Sequence, residues 1–219
     1  MKKFAPKVQV NTEHYKNTNL INYWSWTNYM FQVNDALKTN SKSILIIWKW
    51  NWVIDNYLKD VCWLDVYSMD IDETLKPDYI AWLPDLNDEI KSKKFDTIIC
   101  AHVLEHIPFE YFEKSIENLS KICNNLILQL PPSVLQVRLN FGIQPYLFDW
   151  KFNINIPLLF WKEYKFNGEH YWQPYRKWTS MQRIKNIIKK YFYTEENYQN
   201  PYNHYSYHFI LKSKKNVQD

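Results

Sequence analysis

The sequence predicts an α/β fold: a doubly wound, mostly parallel sheet that ends on an antiparallel C-terminal strand. Three observations lead there. From Ser43 onward short apolar runs alternate with amphipathic segments, the pattern of strands joined by crossover helices. The first of those runs, residues 43–48 (SILIIW), is apolar throughout, as a strand covered on both faces would be. The last, residues 205–211, alternates polar and apolar instead, as an antiparallel strand at a sheet edge would.

Between these limits the elements follow in order. Residues 53–59 read as a short helix, 63–70 (WLDVYSMD) as a second strand ending on an acid, 79–83 as a weak third strand and 95–101 (FDTIICA) as a strong fourth. Phe109, Phe112, Ile116, Leu119 and Ile122 recur at steps of three and four, which predicts an amphipathic helix over 109–122. A fifth strand over 125–130 is stopped by Pro131 and Pro132. Residues 133–177 are rich in aromatics and interrupted by Pro145, Pro157 and Pro174, and read as an insertion or lid with little regular structure. A helix over 179–191, capped by Thr179 or Ser180, precedes the final strand. Tyr23, Tyr29, Phe31, Val33 and Leu37 suggest one or two helices over the sheet, so residues 1–40 are expected to form a helical extension to a main domain over 41–219.

A chain of 219 residues, 46% of them apolar, can bury a sizeable core. Its net charge of +4 comes from lysines spread along the chain, the pattern of a solvated face, so no nucleic-acid partner is expected. Cys62, Cys100 and Cys123 show no C-x-x-C spacing and read as small buried hydrophobes in a reduced, cytoplasmic compartment. No apolar run approaches the ~20 residues of a membrane span. One anomaly stands out: at ordinary usage of roughly 7% this chain should hold about 15 glycines, yet it holds 2, Gly142 and Gly168, alongside 11 tryptophans. The two residue types together come close to the glycine expectation, as if one had replaced the other.

In a doubly wound sheet a ligand binds beyond the carboxyl ends of the strands. After the first strand stands Trp48-Lys49-Trp50-Asn51-Trp52, which with glycine at each tryptophan becomes G-x-G-x-G between a strand and a helix. Asp70 lies 22 residues past Trp48, near the ~20-residue spacing at which an acid reaches a ribose hydroxyl pair. With Val66-Tyr67-Ser68-Met69-Asp70-Ile71-Asp72 and residues 95–108 (FDTIICAHVLEHIP), these segments make residues 43–131 resemble the class I S-adenosylmethionine-dependent methyltransferases. The last segment is the most specific part of the match. Residues 168–172 (GEHYW) are similar to a motif of some small bacterial members.

The resemblance implies a Rossmann-like fold, methyl transfer from S-adenosyl-L-methionine, and a set of cofactor contacts. Ile47, Trp48, Lys49, Trp50 and Trp52 would lie against its methionine portion, Asp70 with Ile71 at its ribose, Leu83 near its adenine, and Cys100, Ala101 and His102 toward cofactor and acceptor. Two positions depart from the family pattern, Ile46 before the loop and Trp82-Leu83 near the adenine, where the family often has acids. The acceptor is expected to be a small molecule or glycan.

Methyl transfer from a sulfonium is an in-line displacement that needs a base only for an acceptor such as a hydroxyl. His102, His106 and His170 are the candidate catalytic groups, because imidazole titrates near neutrality; a histidine that only caps or packs a helix is the plainer alternative at each. His102-Val103-Leu104-Glu105-His106 also spells H-x-x-E-H, the signature of inverted zinc peptidases. That reading needs a long helix, and Pro108 follows too soon. A divalent metal held by His102, Glu105, His106 and His170 is a lesser alternative, and no metal is expected.

Two readings of the tryptophans remain. Some bacterial lineages read UGA as glycine, so a UGA-to-tryptophan table would write Trp where the protein carries Gly; by context Trp48, Trp50, Trp52, Trp63, Trp82 and Trp178 fit such positions, while Trp161 and Trp172 sit among aromatics like true tryptophans. Trp24, Trp26 and Trp150 fit either reading. Alternatively the tryptophans are real and the chain is a binding protein on a methyltransferase fold that no longer catalyses.

Overall fold

The computed structural model describes residues 7–8, 22–48, 53–143 and 148–216, with backbone alone over 140–143, 148–151 and 216. In chain order the elements are α1 (Tyr23–Lys38), β1 (Ser43–Ile47), α2 (Val53–Asn56) continuing into a π-helical turn over Tyr57–Val61, β2 (Asp65–Asp70) and β3 (Tyr79–Ile80). They continue with α3 (Asp88–Lys91), β4 (Phe95–Ala101), α4 (Phe112–Ile122), β5 (Cys123–Leu130), β6 (Leu135–Ile143), β7 (Phe148–Ile156), α5 (Met181–Tyr191), β8 (Phe192–Gln199) and β9 (Tyr207–Ser213). Seven strands form one sheet in the order β3-β2-β1-β4-β5-β9-β8, and β6 with β7 forms a separate ribbon. The first five are parallel to one another, and β9 runs antiparallel to both β5 and β8.

The continuous apolar run of β1 follows from its central place. Leu45 and Ile47 belong to the apolar layer beneath α4 and α5, with Ile98, Leu126, Ile116 and Ile188. Ile44 and Ile46 point the other way, into a second layer with Tyr29 and Ala36 of α1, Ile54 of α2 and Leu58. Both faces are covered, so no position of the strand has reason to be polar. The amino end of the strand is fastened by Asp96, whose Oδ2 accepts the backbone N–H groups of Lys42 at 2.9 Å and Ser43 at 3.0 Å. Those bonds hold the Asp96 carboxyl below the usual carboxylate range, with the Ser43 amide the largest cause. Ser180 caps α5 by accepting from the Arg183 amide, one of the two caps expected from sequence.

The structure corrects two expectations and adds a strand that the sequence reading did not assign. Residues 133–177 contain the regular β6–β7 hairpin, paired from Leu135↔Ile156 to Ile143↔Phe148. Residues 192–199 (FYTEENYQ) form a strand although they are polar, because β8 is the sheet edge and its middle residues face solvent. With β8 outside it, β9 is interior rather than an edge, and Tyr207–Leu211 are all buried. Among the described residues no helix is long and apolar enough to cross a membrane.

Trp63, in the turn before β2, has φ 58° and is 87% exposed, its indole N–H donating to the Asp60 carbonyl at 3.0 Å. Left-handed backbone costs an L-residue roughly 1–2 kcal/mol and costs glycine almost nothing. Trp63→Gly is therefore expected to stabilise the protein by about 1 kcal/mol after loss of that exposed hydrogen bond. Urea unfolding checks this, and an unchanged or lower midpoint contradicts it.

Candidate functional site

β1, β2 and β4 end side by side at one edge of the sheet, and a cavity of about 650 Å³ opens there, within the ~300–1,000 Å³ usual for small-molecule sites. Ile47 and Trp48 reach it from β1, Asp70 and Ile71 from β2, and Ala101 and His102 from β4. α1 roofs it with Ser25, Asn28, Tyr29 and Gln32.

On the β2 side, Asp70 is 6% exposed and its Oδ1 accepts the Asp72 amide at 2.9 Å. Asp72 is spent locally, since its Oδ1 accepts both the amide and the hydroxyl of Thr74, at 2.9 and 2.6 Å. Ala81, Trp82 and Leu83 close this end.

The chain leaves β1 and β4 through two residues in the left-handed region, Trp48 at φ 80° and His102 at φ 54°. For residues with side chains such strain is retained mainly at functional sites. Trp48 puts its indole into the cavity against His106, with ring centroids 4.5 Å apart. The His102 ring stacks on Tyr205 at 5.9 Å, and its Nε2 is buried without a hydrogen-bond partner among the described residues.

Glu105 is wholly buried, and neither carboxylate oxygen accepts a hydrogen bond among the described residues. His102 Nδ1 lies 3.4 Å from Glu105 Oε1. Glu105, His106 and His170 each bring one donor atom to a common spot, all within 4.8 Å of one another. Burial pushes the His106 imidazole down to about 4, against the pull of Glu105, and pushes His170 down as well. Both shifts favour the neutral ring, the form in which an imidazole can ligate a metal. Burial opposes the charge on Glu105, but the imidazoles of His102, His106 and His170 favour it, and the net direction is downward.

His170 comes from far along the chain and is held by a local turn. Asn167 Oδ1 accepts the amides of Glu169 and His170 at 3.0 and 2.7 Å, and Gly168 sits between them at φ +103°, a conformation that favours glycine. The turn is docked by two contacts. The Tyr171 amide donates to the Glu105 carbonyl at 2.8 Å, and the buried Trp172 indole N–H is shared by the carbonyls of Leu104 at 3.1 Å and Ile107 at 3.0 Å. Tyr205 Oη lies 3.2 Å from His170 Nδ1.

The sequence-derived site is thus largely gathered in one place. His102, His106, His170, Ile47, Trp48, Asp70, Ile71, Leu83 and Ala101 all line the cavity. Cys100 does not: it is fully buried in the layer under α4, where burial pushes its thiol far up, so its side chain cannot face a cofactor. The alternation of β4 explains this, since its neighbours point to the opposite face. Lys49, Trp50 and Trp52 lie outside the described residues. Sequence reading missed Gln32, Asn28 and Tyr205; α1 buries Gln32, Thr27 and Asp35, polar residues that an apolar-periodicity search passes over.

No family model and no curated protein matches the sequence. Solved structures match the fold along nearly all of the chain. A S-adenosylmethionine-dependent methyltransferase from Clostridium acetobutylicum ATCC 824 is similar at TM-score 0.56 and 11% identity, covering 93% of this chain and 98% of its own. The methyltransferase domain of bacterial CtHen1 gives 0.55 and 11%, covering 90% and 100%. The PH0226 protein of Pyrococcus horikoshii OT3 gives 0.54 and 13%, covering 92% and 99%. The chain therefore has the Rossmann-like fold of the class I S-adenosylmethionine-dependent methyltransferases.

Trp172→Phe keeps most of the buried ring but leaves two buried carbonyls without their shared donor. A loss of about 1–3 kcal/mol is expected, measured by denaturant unfolding. A change below 0.5 kcal/mol, roughly the scatter of surface substitutions, contradicts the docking role.

Proposed function

We propose that the protein transfers a methyl group from S-adenosyl-L-methionine to a small-molecule or glycan-type acceptor, in the reduced environment of the cytoplasm that its three free cysteines suit. The observation that carries this reading is Asp70, a nearly buried carboxylate at the carboxyl end of β2, facing a cavity into which β1 and β4 also open. A carboxylate there can accept two hydrogen bonds from a ribose diol, and Trp48, the residue that follows β1, lines the same cavity. In the transfer, the acceptor's lone pair forms a bond to the methyl carbon as the carbon–sulfur bond breaks, leaving a neutral thioether. A hydroxyl acceptor also gives up a proton, and His102, at the end of β4 and separated from the β2 end by β1, is the group we assign to receive it.

The reading includes glycine at Trp48, Trp50 and Trp52. Trp48 supports it directly: φ 80° is ordinary for glycine and strained for tryptophan, and the indole takes space that the loop would leave for a ligand. The same residue favours the second reading if its codon is UGG, because a filled cavity suits a binding protein that does not catalyse.

Two experiments separate these. The chain with tryptophan at all three positions should show no rise in melting temperature with S-adenosyl-L-methionine, whereas the Trp48→Gly/Trp50→Gly/Trp52→Gly protein should show one. The reverse pattern would overturn both the glycine reading and the site. In the glycine protein, Asp70→Ala should weaken cofactor binding at least tenfold by calorimetry, since a pair of charge-assisted hydrogen bonds is worth on the order of 2–4 kcal/mol. His102→Ala should lower turnover while leaving that affinity within about threefold.

A further inference from the structure

We propose that Glu105, His106 and His170 form a binding site for one divalent transition-metal cation. The donor set is one carboxylate and two imidazoles, the combination found where zinc, iron or cobalt is held with a coordination position left open. Their nearest donor atoms lie within 4.8 Å of one another, so a point exists no more than about 2.8 Å from all three (4.8/√3). Metal–ligand bonds of about 2.0–2.2 Å then require side-chain shifts of under 1 Å.

A second observation points to an occupant. Both Glu105 oxygens are buried and accept no hydrogen bond among the described residues, an arrangement expensive for a carboxylate unless a cation meets it. The surroundings have the order a metal site requires. Tyr205 Oη lies 3.2 Å from His170 Nδ1, a contact that fixes the ring and would leave Nε2 for ligation, as outer groups do around bound metals. Glu105 and His106 are adjacent in a short helical turn, and His170 is brought to them by the Asn167 turn and the Trp172 indole. Such docking of two distant segments is the work a shared ion would reinforce. Because the three residues line the same cavity as Asp70 and His102, the open coordination position faces the space where an acceptor would sit. The cation would hold an acceptor oxygen there and favour its deprotonation.

The site does not depend on the methyl-transfer reading, and its test uses the full chain without cofactor. After chelator treatment and dialysis, Co²⁺ is added and followed by visible absorption and calorimetry. One Co²⁺ per chain, with ligand-field bands of a nitrogen-containing site, is expected. Glu105→Gln, which keeps the shape of the side chain, and His170→Ala should each weaken Co²⁺ at least tenfold, while His204→Ala should leave it unchanged. Circular dichroism establishes that each variant is folded. Should either fail to fold, the unsubstituted chain still decides, because Co²⁺ should raise its melting temperature. Absence of both bands and melting shift overturns the proposal, as does equal Co²⁺ affinity in folded Glu105→Gln. Retained Co²⁺ binding with no response to S-adenosyl-L-methionine in the glycine protein would leave the metal site standing and remove the methyl-transfer reading.

Discussion

Parallel strands can be packed on both faces only if the chain turns away sharply where each one ends, and the rest of this molecule depends on how it turns at β1 and β4. Both exits pass through left-handed backbone, at Trp48 and at His102. The constraint is steric. The carboxyl ends of the strands present backbone toward the cavity, and a turn that keeps that backbone exposed needs φ values which a Cβ resists. At β1 the cavity gains depth only if the turning residue is small. At β4 the same strain falls on a histidine, and it is held there by its amide bond to the Gln129 carbonyl at 3.1 Å and its stack on Tyr205. Strain that the surrounding structure enforces costs stability and fixes a side chain in one orientation.

The roof over that edge is held by polar contacts as well as by the apolar packing of Tyr29 and Ala36. Gln32 of α1 donates to Gln129 of β5 at 2.9 Å, and Asp35 of α1 receives the Tyr198 hydroxyl at 2.7 Å and lies 2.9 Å from His208 Nδ1. Ser206 Oγ lies 3.1 Å from His208 Nε2, so Ser206, His208 and Asp35 have the spacing of a nucleophilic triad. All three are fully buried, and no substrate can reach the hydroxyl. Burial also keeps the His208 imidazole below its ordinary range, against the pull of Asp35. The array is a strut. It ties α1 to β5, β8 and β9 with directional bonds, which fix the register of a helix more tightly than an apolar stripe can.

Much of this was readable from the sequence, for reasons that can be stated residue by residue. β1, β4 and β5 are central, so burial on both faces leaves an unbroken apolar signature, and Asp70 and His102 could be placed because they sit at the ends of such strands. The signature fails where a neighbour changes the environment. Residues 192–199 are polar because they form an edge, and residues 205–211 alternate in sequence, yet Ser206–Leu211 lie inside because that edge covers them. The Gln32 and Asp35 contacts are invisible to hydrophobic periodicity because each is satisfied by a partner about 97 or 173 positions away. The joining of His170 to Glu105 and His106 was unreadable for the same reason: 64 residues separate it from His106, and nothing local to either segment encodes their contact. Cys100 was misplaced by one step of strand alternation, which a strand's end does not reveal.

The tryptophans can be sorted by what each environment asks for. Trp172 is 2% exposed, donates its N–H to two carbonyls and packs edge-on against Phe109 and Phe112 at 4.9 and 5.3 Å; glycine there would leave a large void and take a donor from both carbonyls. Trp63 and Trp48 occupy backbone that favours glycine, one with its ring in solvent and one with its ring in the cavity. Trp24 and Trp26 belong to the first turn of α1, where glycine would cost roughly 0.5–1 kcal/mol relative to alanine in a helix. Trp24 receives the Arg138 guanidinium over its ring at 4.9 Å, and Trp26 meets Tyr29 edge-on at 5.9 Å. Those contacts use an indole, and the backbone there makes no demand for glycine. The backbone criterion and the side-chain criterion therefore agree at both ends of the range: the backbone at Trp48 and Trp63 suits glycine, and the surroundings of Trp172 need tryptophan.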